Sequence, residues 1–486
     1  MSIPAAQSEA AALLARLTGD DTPVETHISA IFIGGGRALK LKKAVSLGFL
    51  DFTCLEDRER FCRRELELNA PAAPGIYHAV HKLTRAPEGG LRLGGEGEAV
   101  EWVLEMVALP PKAFLDGMAD RGEIGPALLD ALADAVAAQH ASLPPVEDWD
   151  SPAALGRIIE GNVTSADEAG LPGERSREWL RQALADLARQ APLLRRRAAE
   201  GRVRRCHGDL HLGNLVMWQG HPVPFDALEF DEAFATIDTG YDLAFLLADL
   251  DMRLGRAASN RVLNRYVARC GDATVVGPMP LWMSTRALVR AHVMHRAKRT
   301  GLPWMDAAEQ WLTHPQPRIL AVGGLPGTGK SFLARALAPG LGPAPGALIL
   351  RSDEIRKRRA GVPPEQHLPP GAYSPAENEA VYAEFFAMAE AAARTGHTVI
   401  ADAAFLDPAM RAGIEAAAGR AGVPFQGLWL EAPMDVLRAR VVARTGDASD
   451  ADLAVLEKAA EADPGSIRWA RLDAASDTVG KARALL

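Results

Sequence analysis

The chain carries two phosphate-handling motifs that belong to different folds. The first runs from His207 to Asn214 with the sequence HGDLHLGN, and the second runs from Gly324 to Ser331 with the sequence GLPGTGKS. A kinase-type catalytic loop and a glycine-rich P-loop both position the terminal phosphoryl group of a nucleotide, but each does so on its own architecture. A chain with both motifs is therefore expected to hold two nucleotide sites.

Bulk composition restricts the class of protein. At 486 residues the chain exceeds the size of one ordinary core, so two or three domains are expected. A hydrophobic share of 48% with 24% charged residues is typical of a globular protein. The net charge of −8 argues against a nucleic-acid coat or a membrane-surface protein, although a local basic patch is compatible with it.

Three features predict a soluble, cytoplasmic protein with reduced thiols. None of the four cysteines has CxxC spacing. The N-terminus carries the acidic Glu9 and lacks the basic start of a secretory signal. No apolar stretch reaches the ~20 residues that a membrane span needs.

A proline-rich break separates two predicted domains. The segment THPQP at residues 313–317 has two prolines that cannot continue a helix and that suit an extended linker. We therefore predict a first domain over residues 1–310, with an N-lobe of about 1–108 and a C-lobe of about 109–310. The second domain is predicted over residues 317–486.

The two predicted domains differ in periodicity. In the first, residues 26–43 form a hairpin around three glycines, residues 56–69 a charged helix and residues 101–106 a strand, and the pattern is then helical up to Arg205. In the second, helices alternate with strands at residues 319–322, 348–350, 399–401, 428–430 and 469–472, which predicts a parallel sheet. The expected fold class is an α+β, two-lobed, protein-kinase-like domain followed by an α/β P-loop NTPase domain.

The first motif has the residue types and spacing of a kinase catalytic loop. Asp209 and Asn214 stand as in the pattern HRDxxxxN, and Asp226 follows after a short predicted strand. Asp209 is the candidate group that orients an acceptor hydroxyl and accepts its proton. Asn214 and Asp226 are candidate Mg²⁺ ligands, because their hard oxygen atoms suit that ion. Asp242 is expected to brace the loop rather than to react.

The same residues resemble a known family. HGD in place of HRD resembles the aminoglycoside phosphotransferase-like kinases, and the run from Phe225 to Leu246 resembles a bacterial branch in which such a domain is fused to a C-terminal P-loop domain. The resemblance covers nearly the whole chain. It implies a fold, an ATP site and phosphotransfer, without implying that the acceptor is an aminoglycoside.

Residues upstream fit this resemblance. Lys40 lies between two leucines, like the phosphate-binding lysine on the third strand of kinases, but Lys42 shares its face and stays an alternative. Glu65 is the candidate partner of that lysine on the predicted helix. A GxGxxG pattern, which covers the phosphates in protein kinases, is missing from this region of the sequence.

The second motif stands in the context that a nucleotide-binding loop requires. An apolar run at residues 319–323 enters the loop, and a helical pattern follows it. Backbone N–H groups in the loop are predicted to converge on the β-phosphate of ATP. The candidate nucleotide-binding residues are Gly324, Gly327, Thr328, Gly329, Lys330 and Ser331, and Ser331 is also a candidate Mg²⁺ ligand.

Residues after the next strands favour phosphotransfer over hydrolysis. Asp402 ends a predicted strand without a neighbouring glutamate that would activate water, and it is the second candidate Mg²⁺ ligand here. Asp353 and Arg356 have an arrangement that resembles P-loop polynucleotide kinases, in which the aspartate activates a hydroxyl and the arginine binds substrate phosphate. Arg440 and Arg444 are four residues apart on one predicted helix, as in a catalytic lid or, alternatively, a solvated basic face.

A basic run, RKRR at residues 356–359, has two interpretations. It could contact a phosphorylated or nucleic-acid acceptor, or it could be an exposed helix surface.

The sequence hypothesis is a bifunctional phosphotransferase that uses Mg²⁺ and ATP in both domains. Its acceptors would be a small-molecule alcohol for the first domain and a small molecule or a 5′-hydroxyl polynucleotide for the second. Two alternatives are an ATPase switch of the AAA type and a regulatory module whose kinase-like half senses a ligand without turnover. The missing glutamate beside Asp402 counts against the AAA alternative.

Overall fold

The chain divides into two compact units. The computed structural model describes residues 2–47 and 50–486. Unit 1 is formed by the described residues up to 125 together with 142–146 and 203–242, and unit 2 by residues 126–141, 147–202 and 243–486. The predicted domain limits at residues 310 and 317 both lie inside unit 2, so many helices of the predicted C-lobe share a unit with the C-terminal sheet.

The N-terminal part of unit 1 is built around a six-stranded antiparallel sheet. Its elements are α1 (Ser8–Thr18), β1 (Val24–Glu25), β2 (Ser29–Gly34), β3 (Arg37–Lys42), α2 (Leu55–Ala72), β4 (Tyr77–Arg85), β5 (Leu91–Leu93), β6 (Ala99–Val107) and α3 (Leu115–Asp120). The strand order is β1-β2-β3-β6-β4-β5. The predicted hairpin, helix and strand are present, and the sequence analysis missed α1, β1, β4 and β5.

Strand β3 sorts its side chains between the two faces of this sheet. Leu39 and Leu41 are buried against α1, in a cluster that includes Leu14 and Phe32. Because successive side chains of a strand point to opposite faces, Lys40 and Lys42 project to the other face. Helix α2 packs on β4 and β6, and its Glu65 is bonded to both lysines. The period of two thus delivers both lysines to the helix that carries Glu65.

Three helices of unit 2 precede the return of the chain to unit 1. They are α4 (Pro126–Ser142), α5 (Ser151–Ala169) and α6 (Gly173–Ala199), and the last residue of α4 belongs to unit 1. Unit 1 then continues with β7 (Val203–Arg205), β8 (Leu215–Trp218), β9 (His221–Pro224), α7 (Glu232–Ala235) and β10 (Thr236–Asp238). The predicted helical pattern up to Arg205 is therefore wrong at its end. Gly201 has a φ of 72°, which breaks the helix, and β7 pairs with β10.

The rest of unit 2 combines helices with a parallel sheet. The helices before the P-loop are α8 (Thr239–Leu254), which begins in unit 1, α9 (Arg256–Cys270), α10 (Met279–Arg296) and α11 (Leu302–Trp311). The remaining elements are β11 (Ile319–Gly324), α12 (Lys330–Leu337), β12 (Leu348–Arg351), α13 (Ser352–Arg359), α14 (Pro375–Arg394), β13 (Val399–Asp402), α15 (Pro408–Ala421), β14 (Phe425–Glu431), α16 (Met434–Ala443), α17 (Leu453–Glu461), β15 (Ala470–Asp473) and α18 (Thr478–Leu485).

The C-terminal sheet confirms the predicted α/β class. All of its strands are parallel, in the order β12-β13-β11-β14-β15. Every residue of β11 is buried, as expected for a central parallel strand with both faces covered. Within residues 2–47 and 50–486, no helix combines the length and apolar composition that crossing a membrane requires.

Candidate active sites

The HGD segment of unit 1 is held in place by the side chain of Asp242. Asp242 accepts hydrogen bonds from the N–H groups of His207 and Gly208, at 3.2 and 2.8 Å. Gly208 has a φ of 84°, and an added Cβ would lie 3.2 Å from side chains of Leu228 and Ala235. A glycine is therefore required between the histidine and the aspartate. Asp242 has the bracing geometry expected from the sequence.

Asp209 and Asn214 meet across this loop. The Asn214 side-chain amide donates to the Asp209 main-chain carbonyl at 2.9 Å and to Asp209 Oδ2 at 3.0 Å. The Asp209 side chain is 43% exposed, and His211 Nε2 lies 3.5 Å from its Oδ2. The carboxylate is thus accessible to a substrate hydroxyl, and the Asn214 amide nitrogen, rather than its oxygen, makes these bonds to Asp209.

Lys40 joins the candidate lysine–glutamate pair to the candidate metal ligand. Its Nζ lies 2.7 Å from Glu65 Oε1 and 2.6 Å from Asp226 Oδ1. Lys42 bonds the other oxygen of Glu65 at 2.7 Å, and it also bonds Glu229. Of the two candidate lysines, Lys40 is the one beside Asp226, and this geometry favours it for the role of contacting phosphate.

Charge and backbone geometry both mark Asp226 as a special position. Burial alone would lower the pKa of Lys40, but Asp226, Glu65 and Glu229 raise it well above its ordinary value, so the ammonium stays charged. Asp226 has a φ of 61°, which is uncommon for a residue with a side chain. Its N–H donates to the Tyr77 hydroxyl at 2.9 Å, which helps to hold that conformation. Such outliers cluster at functional sites.

The P-loop glycines of unit 2 have positive φ values, which residues with a side chain rarely adopt. Gly324, Gly327 and Gly329 have φ values of 138°, 85° and 87°. An added Cβ at Gly324 would lie 2.5 Å from the carbonyl oxygen of Leu430. The loop then enters α12 at Lys330, which places the positive end of a helix at the expected phosphate position. Thr328 is buried and closes the loop on the Leu325 carbonyl at 2.8 Å.

Lys330, Ser331 and Asp402 converge at the mouth of this loop. Lys330 Nζ donates to the carbonyl oxygens of Gly324 and Leu325, at 2.9 and 3.0 Å. Ser331 Oγ donates to Asp402 Oδ2 at 2.6 Å. Burial lowers the pKa of Lys330 below its ordinary value, and Asp402 and Asp353 oppose that shift. A hydroxyl and a carboxylate side by side form the oxygen donor set that Mg²⁺ prefers.

Arg351 is a site residue that the sequence analysis missed. It ends β12, is buried, and contacts Asp402 at 3.3 Å, Asp447 at 2.8 Å and Glu354 at 3.2 Å. It therefore ties the loop after α16 to the strand that carries Asp402. Its strand-end position, next to Ser352 and Asp353, was the available signal.

Asp353 lies half-buried at the start of α13 and interacts electrostatically with Lys330 and Asp402. Burial raises the pKa of its carboxyl above the ordinary value, while Arg351 and Lys330 act in the opposite direction. A raised pKa in a carboxylate beside a phosphate loop is the property that a general base requires.

The members of the basic run contact groups of unit 2, so the run is neither a uniformly exposed helix surface nor a set of unengaged cations. Arg356 is buried, donates to the Ala372 carbonyl and to Asn378 at 2.7 Å each, and stacks 4.6 Å from the Tyr373 ring centre. Lys357 is buried and bonds Asp450 at 2.6 Å. The last two arginines, Arg358 and Arg359, pair with acidic residues of α14 at 2.6 Å.

The candidate lid arginines do not share one helix. Arg440 lies on α16 and donates to the Gly327 and Ala474 carbonyls at 3.4 and 3.0 Å. Arg444 is the residue after the helix, in an extended conformation, and bonds the Ala451 carbonyl. The prediction of a common helix is wrong by one residue, because α16 ends at Ala443. The contact with Gly327 brings Arg440 beside the P-loop.

Glu229 is the second residue that the sequence analysis missed. It follows Asp226 by three positions and is buried at 6% exposure against Lys42. Asn69, on α2, accepts a hydrogen bond from the Ala227 N–H at 2.8 Å. The signal for Glu229 was the acidic segment after the short strand, in which Asp226 alone was assigned a role.

The fold and the two sites define a chain that joins a kinase-like phosphotransferase domain to a P-loop domain of the kinase type. The family described as "Phosphotransferase enzyme family" matches residues 60–276, and the family described as "AAA domain" matches residues 319–462. The chain belongs to the bacterial family in which an aminoglycoside phosphotransferase-like domain precedes a P-loop domain. Its relatives include the uncharacterized proteins Rv2004c of Mycobacterium tuberculosis and Mb2027c of Mycobacterium bovis. Each is 31% identical over 445 residues, which cover 88% of this chain and 87% of the relative.

Solved structures resemble parts of the chain. A choline/ethanolamine kinase family protein from Mesorhizobium loti is 14% identical, with 62% of this chain and 92% of that chain covered and a TM-score of 0.35. A gluconokinase from Sinorhizobium meliloti is 23% identical, with 35% and 91% covered and a TM-score of 0.25.

Proposed function

We propose that the protein is a bifunctional ATP-dependent phosphotransferase with one Mg-ATP site in unit 1 and another at the P-loop of unit 2. The observation that carries this proposal is the double bonding of Lys40 to Glu65 and Asp226, at 2.7 and 2.6 Å. Kinase catalysis depends on a lysine–glutamate pair and a metal-binding aspartate in one place. The occurrence of all three groups beside an HGD loop supports an active site over an inert fold.

In the first site, some residues would bind the nucleotide and others the acceptor. Lys40 would contact the phosphates of ATP, while Asp209 would hold the acceptor hydroxyl and accept its proton. Asp226 and Asn214 would hold Mg²⁺, which neutralises phosphate charge when bound. Three carboxylates, Asp226, Glu65 and Glu229, face two lysines in this cluster. The cluster therefore has one carboxylate more than it has lysines, and Asp226, whose side chain is 40% exposed, is the member accessible to a cation.

In the second site, Ser331 and Asp402 would hold Mg²⁺ and Lys330 would contact the β- and γ-phosphates. Asp353 would then accept the proton of an acceptor hydroxyl, a role that its raised pKa supports. Arg440 would contact the transferred phosphoryl group from beside Gly327.

The acceptors in both sites are proposed to be alcohols. For the second site, the paired state of the basic run favours a small molecule over a 5′-hydroxyl polynucleotide. A polynucleotide would need cations for its phosphates, and the residues from Arg356 to Arg359 already contact groups of unit 2.

The test is the release of ADP by the full-length protein with and without pools of polyols, amino alcohols and 5′-hydroxyl oligonucleotides. Transfer predicts that an acceptor stimulates ADP release and becomes labelled from γ-labelled ATP. Asp209→Asn and Asp353→Asn should each remove the labelling of a different acceptor. Hydrolysis that no acceptor stimulates, and that survives in Asp209→Asn, would favour the AAA-type switch.

A further inference from the structure

Five charged side chains of unit 1 form one continuous chain of ion pairs. Starting from the exposed end, they are Asp226, Lys40, Glu65, Lys42 and Glu229. Each of the two Glu65 oxygens receives one lysine at 2.7 Å. Both ends of the chain, Asp226 and Glu229, come from the same segment after β9, so the series of ion pairs closes on itself through a short stretch of backbone.

The same segment is fastened to the sheet and to α2 by neutral hydrogen bonds. Ala227 N–H donates to Asn69, one helical turn beyond Glu65, at 2.8 Å. Asp226 N–H donates to the Tyr77 hydroxyl on β4 at 2.9 Å. Helix α2 is therefore attached to the Asp226–Glu229 segment through Asn69 and, by way of the two lysines, through Glu65.

Binding of Mg-ATP would involve only the Asp226 and Lys40 end of this series of ion pairs. Asp226 would turn to the metal and Lys40 to the phosphates, and both would then bind Glu65 less. Glu65 is fully buried, and a buried carboxylate without a partner is strongly destabilised. Lys42 has 1% of its side chain exposed and keeps the second oxygen of Glu65. Burial acts to lower the pKa of Lys42, but Glu229 and Glu65 together raise it, so its charge persists.

We propose that Lys42 and Glu229 are positioning residues that hold Glu65 in place throughout nucleotide binding, so that Lys40 can move between Asp226 and the phosphates of ATP. This inference rests on the proposed function of the first site. In protein kinases the position of the glutamate helix is a point of control. Here the Lys42–Glu229 pair would keep α2 in its assembled position without an activating event.

The experiment uses the full-length protein and an acyl-phosphate derivative of ATP, which acylates lysines that lie beside the phosphates. Peptide mass spectrometry then reports the labelling of Lys40, Lys42 and Lys330 separately, with excess ATP as competitor. In the unaltered protein we expect ATP-competed label on Lys40 and Lys330, and none on Lys42. Lys330 belongs to the other site and serves as a reference within the same molecule.

The variants are Lys42→Met, the milder Glu229→Gln, and the two combined. Each should reduce the labelling of Lys40 by about 10- to 100-fold, the size of effect found when residues that orient metal ligands are replaced, and leave the labelling of Lys330 unchanged. Lys42→Arg should restore much of the loss. Lys43→Met is the matched control. Lys43 is the next residue and is also a buried lysine, but its ion pair, at 2.6 Å, is with Glu25 and not with Glu65.

Three results would overturn the inference and leave the proposed function of the first site standing. Label on Lys42 itself would make it a phosphate-contacting residue. If the combined variant is labelled on Lys40 as strongly as the unaltered protein, Lys42 and Glu229 merely neutralise each other and do not position Glu65. An equal loss of Lys40 label in Lys43→Met would mean general damage to the fold. If Lys40 of the unaltered protein takes no ATP-competed label, the proposed first site itself is wrong, and the inference falls with it.

Discussion

Ser331 donates a hydrogen bond of 2.6 Å to Asp402, although 71 residues separate the two positions. They meet because β11 and β13 are parallel neighbours, with Val322 opposite Asp402. The carboxyl ends of parallel strands lie at one edge of a sheet, which is where α/β proteins bind ligands. The pair therefore gives unit 2 two adjacent oxygen donors at the mouth of the P-loop.

Replacement of Asp209 by alanine should stop transfer at the first site and preserve ATP binding. The carboxylate accepts the hydroxyl proton in the proposed reaction but does not hold the nucleotide, and loss of a general base costs ~10²–10⁴ in rate. Labelled γ-phosphate measures transfer, and calorimetry measures binding. Asp231→Ala, which removes the acid at the N-terminus of α7, is the control. Unchanged transfer in Asp209→Ala would exclude Asp209 from the mechanism.

Replacement of Lys330 by alanine should remove one of two ATP-binding events. The ammonium group lies inside the glycine loop, 2.9 Å from the Gly324 carbonyl, where the phosphates are expected. Calorimetry on the full-length variant should report a single site with the affinity of the first site. Lys458→Ala, at an exposed lysine of unit 2, should retain both sites. Loss of both events in Lys330→Ala would contradict independent sites.

Asp353→Asn should abolish transfer at the second site while Mg-ATP stays bound. Slow background hydrolysis of ATP should persist, because the attack of water in this site does not depend on Asp353 as a base. Burial raises the pKa of Asp353, so its ionised form becomes dominant at a higher pH than that of an ordinary aspartate. Second-site activity should therefore rise with pH through this raised pKa. A pH–rate profile of Asp353→Glu, which keeps a carboxyl group, checks the assignment. If Asp353→Asn slows ATP hydrolysis and no acceptor is ever labelled, the second site is an ATPase and not a phosphotransferase.

Arg356→Ala should destabilise unit 2 rather than weaken acceptor binding. Its guanidinium satisfies the Ala372 carbonyl and Asn378 in a buried position, and such groups left unpaired cost about 1–3 kcal/mol. Arg359→Ala is the control, since its side chain is 33% exposed and an exposed pair contributes about 0–1 kcal/mol. Thermal unfolding measures both. A raised acceptor KM with an unchanged melting temperature would instead support the phosphate-binding role predicted from the sequence.

Buried His397 should make the protein less stable in mild acid. Its Nε2 pairs with the Gly346 carbonyl at 2.9 Å, and burial lowers its pKa from 6.5 to about 4. The unfolded state therefore binds the proton more readily, and stability falls as pH decreases from about 6.5 toward 4, by up to about 2 kcal/mol at pH 5. In His397→Gln, whose amide can keep the hydrogen bond, urea unfolding should depend less on pH over this range. An identical pH dependence would contradict it.

Local sequence predicted the elements that carry the two motifs and the principal candidate residues. Period-two alternation in β3 predicted that Lys40 and Lys42 share a face, and both indeed bond Glu65. The alternation of strands and helices after residue 317 predicted the parallel sheet, and the glycine pattern predicted the P-loop backbone. These features depend on near neighbours in the chain, where spacing translates directly into geometry.

The sequence could not determine which charges neutralise one another. The run RKRR offers four cations, but their partners, such as Asp450 and Glu384, come from distant elements. Glu229 and Arg351 each stood in a segment with a local signal, but their ion-pair partners, Lys42 and Asp402, come from distant elements and could not be read from it. The end of α16 before Arg444 also depends on the surrounding loop.

Sequence alone thus determined the two folds, the two phosphate motifs and the candidate groups within each. Only the tertiary structure decided that Lys40 reaches Asp226, that Lys42 is bound to Glu229, and that Arg356 is buried among neutral and aromatic groups. The reason is physical: the energy of a buried charge depends on the groups packed around it, and those groups are assembled by strand order and helix packing rather than by their order in the chain.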